Sequence, residues 1–85
     1  MEIAEIQKIL KDFIIELLNE RNILDNTALI ESGLIDSLSI IHIVLFIESR
    51  FSCKLKPFDI QIDDFQTIKK MAIVVLKKIE AKKLD

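Results

Sequence analysis

The chain has 85 residues, 51% of them hydrophobic and 31% charged, with a single Gly and a single Pro. That length bounds it to one domain; so few turn-formers exclude a sandwich or barrel, and so large an apolar share excludes a disordered segment. Twelve basic against fourteen acidic side chains give a net charge of −2, unlike the basic footprint of a nucleic-acid binder, and the lone Cys53 excludes both an internal disulfide and a cysteine-rich metal site.

Ile3, Ile6, Leu10, Phe13, Leu17 and Leu18 recur every three or four residues, with Ile9 and Ile14 widening the stripe. Glu2, Glu5, Lys8, Lys11, Asp12 and Glu16 fill the opposite side, so the spacing predicts a long amphipathic helix ending between Asn19 and Asn22. This acidic amphipathic opening is not the basic-then-apolar pattern of a secretory signal. From Ile23 to Asp36 the period is lost, but Ile23, Leu24, Leu29, Ile30 and Leu34 supply apolar anchors for a long packed loop. Gly33 stands just before the next helix, where a left-handed or tight backbone is expected.

A second long helix is predicted from Ser37 to Phe51. Pro57 closes the stretch after it, and Asp59 to Asp64 is expected to form one short helix. Thr67 is the expected N-cap of the last helix, whose apolar face is Ile68, Met71, Ala72, Val75, Leu76 and Ile79 and whose end is rich in lysine. The expected fold is therefore all-α: a small four-helix bundle of three long helices and one short, forming a single domain over residues 1–85. Leu38 to Ile47, the longest apolar stretch, is far short of the roughly 20 residues a membrane span requires. A cytoplasmic, monomeric protein without a transmembrane segment is expected.

No Lys or Arg lies between Arg21 and Arg50, whereas Asp25, Glu31, Asp36 and Glu48 do. Beyond Arg50 come Lys54, Lys56, Lys69, Lys70, Lys77, Lys78, Lys82 and Lys83. This pattern reads either as a negative potential over the middle of the chain that steers partners, or as two solvated faces of different sign.

The second helix carries two apolar groups when turned at about 100° per residue. Ile40, Ile43, Val44, Ile47 and Phe51 form a core stripe. Leu38, Ile41 and Leu45 lie on a second stripe roughly 130° away. Either the helix is covered on most sides, or this second stripe faces solvent as a docking surface, with His42 and Glu48 as its polar rim.

Ser37 opens the helix directly after Asp36, a pairing that a plain N-cap also produces. Nucleophilic catalysis by Ser37 would require a base, and the only histidine, His42, lies five residues on and about 140° round the helix. With no glycine-rich elbow and no metal-ligand cluster, no catalytic residue and no metal ligand are assigned. Asp59, Asp63 and Asp64 read as a solvated acidic cluster in preference to a loose cation site. A helix start does suit a serine carrying a phosphate group, since the free N–H groups and the helix dipole both favour an anion there.

The run Gly33-Leu34-Ile35-Asp36-Ser37-Leu38, the apolar helix through Glu48 and Arg50-Phe51, and the later Phe65-Gln66-Thr67-Ile68 resemble the acyl and peptidyl carrier protein family over essentially the whole chain. The resemblance implies that Ser37 receives a 4′-phosphopantetheine arm from coenzyme A through a phosphopantetheinyl transferase, with Asp36 assisting that enzyme's Mg²⁺ chemistry. It implies that the arm's thiol carries an acyl or aminoacyl group as a thioester, and that Leu38, Ile41, Leu45 and the rim residue Glu48 meet loading ligases or synthases. Ile40, Ile43, Val44 and Ile47 would line the interior. The chain departs from fatty-acid carriers in the scarcity of carboxylates on the second helix and in the bulk of Phe46. Its Phe58-Asp59 to Phe65-Gln66-Thr67 stretch more closely resembles D-alanyl, peptidyl or specialised stand-alone carriers. The alternative expectation is an unmodified interaction module docking through the same helix.

Overall fold

The computed structural model describes residues 1–83, and the expected domain limit of 85 takes in two residues outside them. Three α-helices, α1 (Ile3–Leu18), α2 (Ser37–Phe51) and α3 (Ile68–Lys83), make up the regular structure, with no strand among the described residues. α1 ends where Asn19 turns left-handed at φ 53° and donates its N–H to Ile15 O, the polar residue best able to adopt that conformation without glycine. α2 stops in the same way at Ser52, φ 52°, whose N–H reaches Glu48 O. Thr67 caps α3 as expected, its hydroxyl accepting the Lys70 N–H at 3.1 Å.

The expected fourth helix does not form. Two separate 3₁₀ turns, Pro57–Asp59 and Ile62–Phe65, occupy its place, divided by extended backbone at Ile60 and Gln61. The cause is local competition from aspartate: the Asp59 carboxylate accepts the Lys56 N–H and the Asp64 carboxylate accepts the Gln61 N–H, both at 3.1 Å. Each turn closes on its own side chain, and a stretch this short cannot offset helix nucleation.

The core is one cluster. Ile6, Leu10 and Ile14 of α1 meet Ile43, Ile47 and Phe51 of α2, and Ile68, Met71, Ala72 and Val75 of α3, with Leu55 and Phe65 closing it from the connecting segment. Ile40 and Val44 are only half-buried at its edge. Phe13 and Phe46 stack with ring centroids 4.0 Å apart and planes 10° from parallel, which joins α1 to α2 outside the aliphatic centre. The bulk of Phe46 is thus matched by Phe13.

The long loop packs as anticipated, but not through all the anchors expected. Ile23 and Leu29 are buried, whereas Leu24 is 64% exposed and Ile35 is buried. Ile35 precedes the α2 cap, the position from which an apolar residue pins a helix entry to the core. Gly33 has φ +78°, the left-handed backbone expected of it, with its N–H on Ile30 O at 3.0 Å.

Candidate functional site

Asp36 and Ser37 meet at the start of α2. Asp36 is the N-cap in extended conformation, its carboxylate accepting the Ser39 N–H at 2.9 Å and the Ser39 hydroxyl at 3.0 Å. Those two bonds, the backbone one foremost, hold the Asp36 carboxyl below the ordinary aspartate range. The Ile40 N–H bonds Asp36 O at 3.0 Å. With the third and fourth helical N–H groups satisfied in this way, those of Ser37 and Leu38 are left without an intrahelical acceptor.

Ser37 itself is exposed, and its hydroxyl makes no hydrogen bond to the described residues. The cap is supplied by its neighbour, so the oxygen is free for substitution. A phosphodiester on it would lie at the positive end of the helix, near the Ser37 N–H, the Leu38 N–H being turned partly towards the Asp36 carboxylate. His42 is exposed on another face of α2, and Asp36 is engaged with Ser39, so no side chain is placed to deprotonate Ser37. Among the described residues no group of three or more His, Cys, Asp or Glu could hold a metal ion. The expected acidic cluster is dispersed: Asp59 pairs with Lys78, Asp63 pairs with Lys70, and Asp64 caps its own turn.

The second stripe of α2 is bare. Leu38 is 63% exposed, Ile41 54% and Leu45 57%, while Ile43 and Ile47 on the other face are buried. Glu48 is not a free rim residue, because its carboxylate turns back to accept the Leu55 N–H at 2.9 Å in a half-buried setting. The negative potential expected over the middle of the chain shrinks accordingly. Asp25 lies 3.0 Å from the Lys11 ammonium, an ion pair whose angle falls short of a hydrogen bond, and Glu48 is engaged internally. Glu31 and Asp36 remain as exposed carboxylates before the helix.

Gln66, part of the Phe65-Gln66-Thr67-Ile68 run, has a contact that the sequence did not announce. Gln66 accepts the Leu29 N–H on its main-chain oxygen at 2.8 Å, and the Ile30 and Glu31 N–H groups on its side-chain oxygen at 3.0 and 3.1 Å. Glu48 holds residue 55 at the far end of α2, and Gln66 holds residues 29–31 near its start. The connecting segment therefore runs back along α2, antiparallel to it. No periodicity links two positions 35 to 37 apart, and only the folded chain brings them together.

No known family model matches this chain, and no curated protein matches it.

Proposed function

We propose that the chain is a carrier protein of the acyl and peptidyl type, with Ser37 bearing a 4′-phosphopantetheine arm. The observation that carries this reading is a solvent-facing serine hydroxyl, free of hydrogen bonds to the described residues, at the first position of a helix whose adjoining apolar stripe is bare. When bound, the arm supplies a thiol that holds an acyl or aminoacyl group as a thioester. Attachment forms one bond, from Ser37 Oγ to the phosphorus nearer the pantetheine in coenzyme A. It breaks the pyrophosphate bond to the adenosine 3′,5′-bisphosphate, and the serine proton leaves to a base of the transferase. Among the described residues no base stands at Ser37, so in this reaction the chain serves as substrate and carrier. Its residues fit the group: Ser37 would offer the oxygen, and the positive end of α2 would favour the phosphate. Asp36 stays anionic beside it, available to the transferase's Mg²⁺. A cytoplasmic monomer suits this role, since coenzyme A and ATP-dependent loading enzymes are found there.

The loading partner we assign is an adenylating ligase, with an amino acid or a short or specialised acyl group as cargo. Glu48 is the only carboxylate within α2 and it is spent on the Leu55 N–H, so the exposed face of the helix offers Leu38, Ile41 and Leu45 but no acidic array. A partner reading this face relies on apolar contact more than on charge steering. The same bare stripe favours a second reading, an unmodified module that docks permanently through α2.

Intact mass after incubation with coenzyme A, Mg²⁺ and a broad-specificity phosphopantetheinyl transferase separates the two. The carrier gains the mass of one phosphopantetheinyl group, whereas an unmodified module gains none. Offering the modified protein malonyl-transfer enzymes beside adenylating ligases then tests the cargo. Efficient, salt-sensitive malonylation would contradict the assignment to a dedicated ligase.

A further inference from the structure

The loop that delivers the chain to Ser37 is 18 residues long, from Asn19 to Asp36, and has no regular structure of its own. A span of that length needs ties along its course to hold one path. Ile23, Leu29 and Ile35 bury into the core and Asp25 pairs with Lys11, while the hydrogen bonds it receives from or gives to the rest of the chain are few. Lys69 N–H reaches Asp25 O at 3.1 Å, Leu29 N–H reaches Gln66 O, and the Gln66 side-chain oxygen takes both the Ile30 and Glu31 N–H groups. From there the path to Ser37 is short. Ile35 N–H bonds Leu29 O at 3.1 Å, closing residues 29–35 into a ring, and Asp36 and Ser37 follow at once.

We infer that Gln66, from the far side of the connecting segment, is the positioning residue for Ser37. One amide oxygen accepts two consecutive backbone donors, fixing the orientation of the Ile30–Glu31 segment as well as its distance. That orientation sets Gly33, Ile35 and the Asp36 cap in turn. Gln66 does not touch Ser37 and takes no part in bond making; it narrows the range of places in which a partner finds the hydroxyl. The inference rests on the carrier reading for its kinetic half, but its structural half does not.

Gln66→Met keeps the side-chain length and removes the acceptor, while leaving the main-chain bond to Leu29. Gln66→Glu retains an accepting oxygen and is the rescue variant. Val75→Ala, a core truncation on α3 remote from the loop, is the control for loss of stability alone. Amide hydrogen exchange at Ile30 and Glu31 is measured for each, with kcat and KM for transfer of the arm well below every Tm.

Gln66→Met is expected to speed exchange at both amides by about fivefold or more, the scale of a lost hydrogen bond. It should lower kcat/KM by a similar factor through KM, with Gln66→Glu close to wild type. Val75→Ala should lower Tm and leave loading unchanged. Unaltered exchange in Gln66→Met would overturn the inference. So would faster exchange with unaltered kcat/KM, or an equal loss of loading in Val75→Ala. A wild-type chain that takes no arm would overturn the carrier reading and the positioning role with it, and that failure is distinguished from a failed clamp because it affects the unmutated protein.

Discussion

At Ser37 the hydroxyl does nothing for the helix that begins there, because Asp36 already accepts the Ser39 N–H. Ser37→Ala is accordingly expected to shift the unfolding free energy by no more than about 0.5 kcal/mol, read from urea denaturation. Asp36 behaves oppositely. Its folded pKa is depressed by the bonds from Ser39, so its contribution is present above the unfolded aspartate pKa and is lost as pH falls through the folded value. Acidification should therefore loosen the first turn of α2 before the core responds, seen as an early shift of the Ser39 amide resonance in a pH titration. If Ser39 moved only with global unfolding, the cap would not be acting as described. Cys53 is half-buried, and burial, with Glu48 nearby, raises its thiol pKa. It should be alkylated more slowly at neutral pH in the folded chain than in urea.

α2 has two apolar faces that differ in burial but hardly in composition. Leu45→Glu replaces an exposed side chain and should cost under about 1 kcal/mol, whereas Ile47→Glu buries an unpaired carboxylate and should cost several, on the order of the whole stability. Denaturation curves for the two variants check this, and equal losses would mean that the faces are not distinct. Phe46→Ala removes the stack on Phe13 and should cost about 1 to 3 kcal/mol, below the range for a fully buried phenylalanine because both rings are only partly covered. Both limits of α2 and the start of α3 could be read from the sequence, and the end of α1 to within a few residues, because apolar spacing and caps such as Thr67 are local signals. The 3₁₀ turns were not legible, since the Asp59 and Asp64 side chains compete with the helix in a way that periodicity does not register. In the loop, Leu24 and Ile35 are alike in hydrophobicity, and only the placement of Ile35 just before a helix cap distinguished them.

Taken whole, the molecule extends over about 38 × 25 × 19 Å. Ser37 begins α2, and the Lys82 ammonium binds Ser52 O at the other end of that helix, roughly 21 Å away at 1.5 Å per residue. The lysines gathered after Arg50 in the sequence thus sit partly at the pole opposite the serine, and two of them, Lys70 and Lys78, are neutralised by Asp63 and Asp59. The position of Ser37 and the two apolar stripes of α2 were legible in the sequence because helix rotation separates Leu38, Ile41 and Leu45 from Ile43 and Ile47; which stripe was bare came from the packing. The fate of Glu48 and the clamp made by Gln66 were not, as both arise from contacts between distant segments. On the carrier reading, the free oxygen at the head of α2 is the single point of covalent attachment. Tandem mass spectrometry of the wild type, Ser37→Ala, Ser39→Ala and Ser32→Ala chains after incubation with coenzyme A and transferase locates it. One phosphopantetheinyl group on Ser37 in every chain except Ser37→Ala is the predicted result; a wild type that gains none, or a Ser37→Ala chain that still gains one, would contradict it.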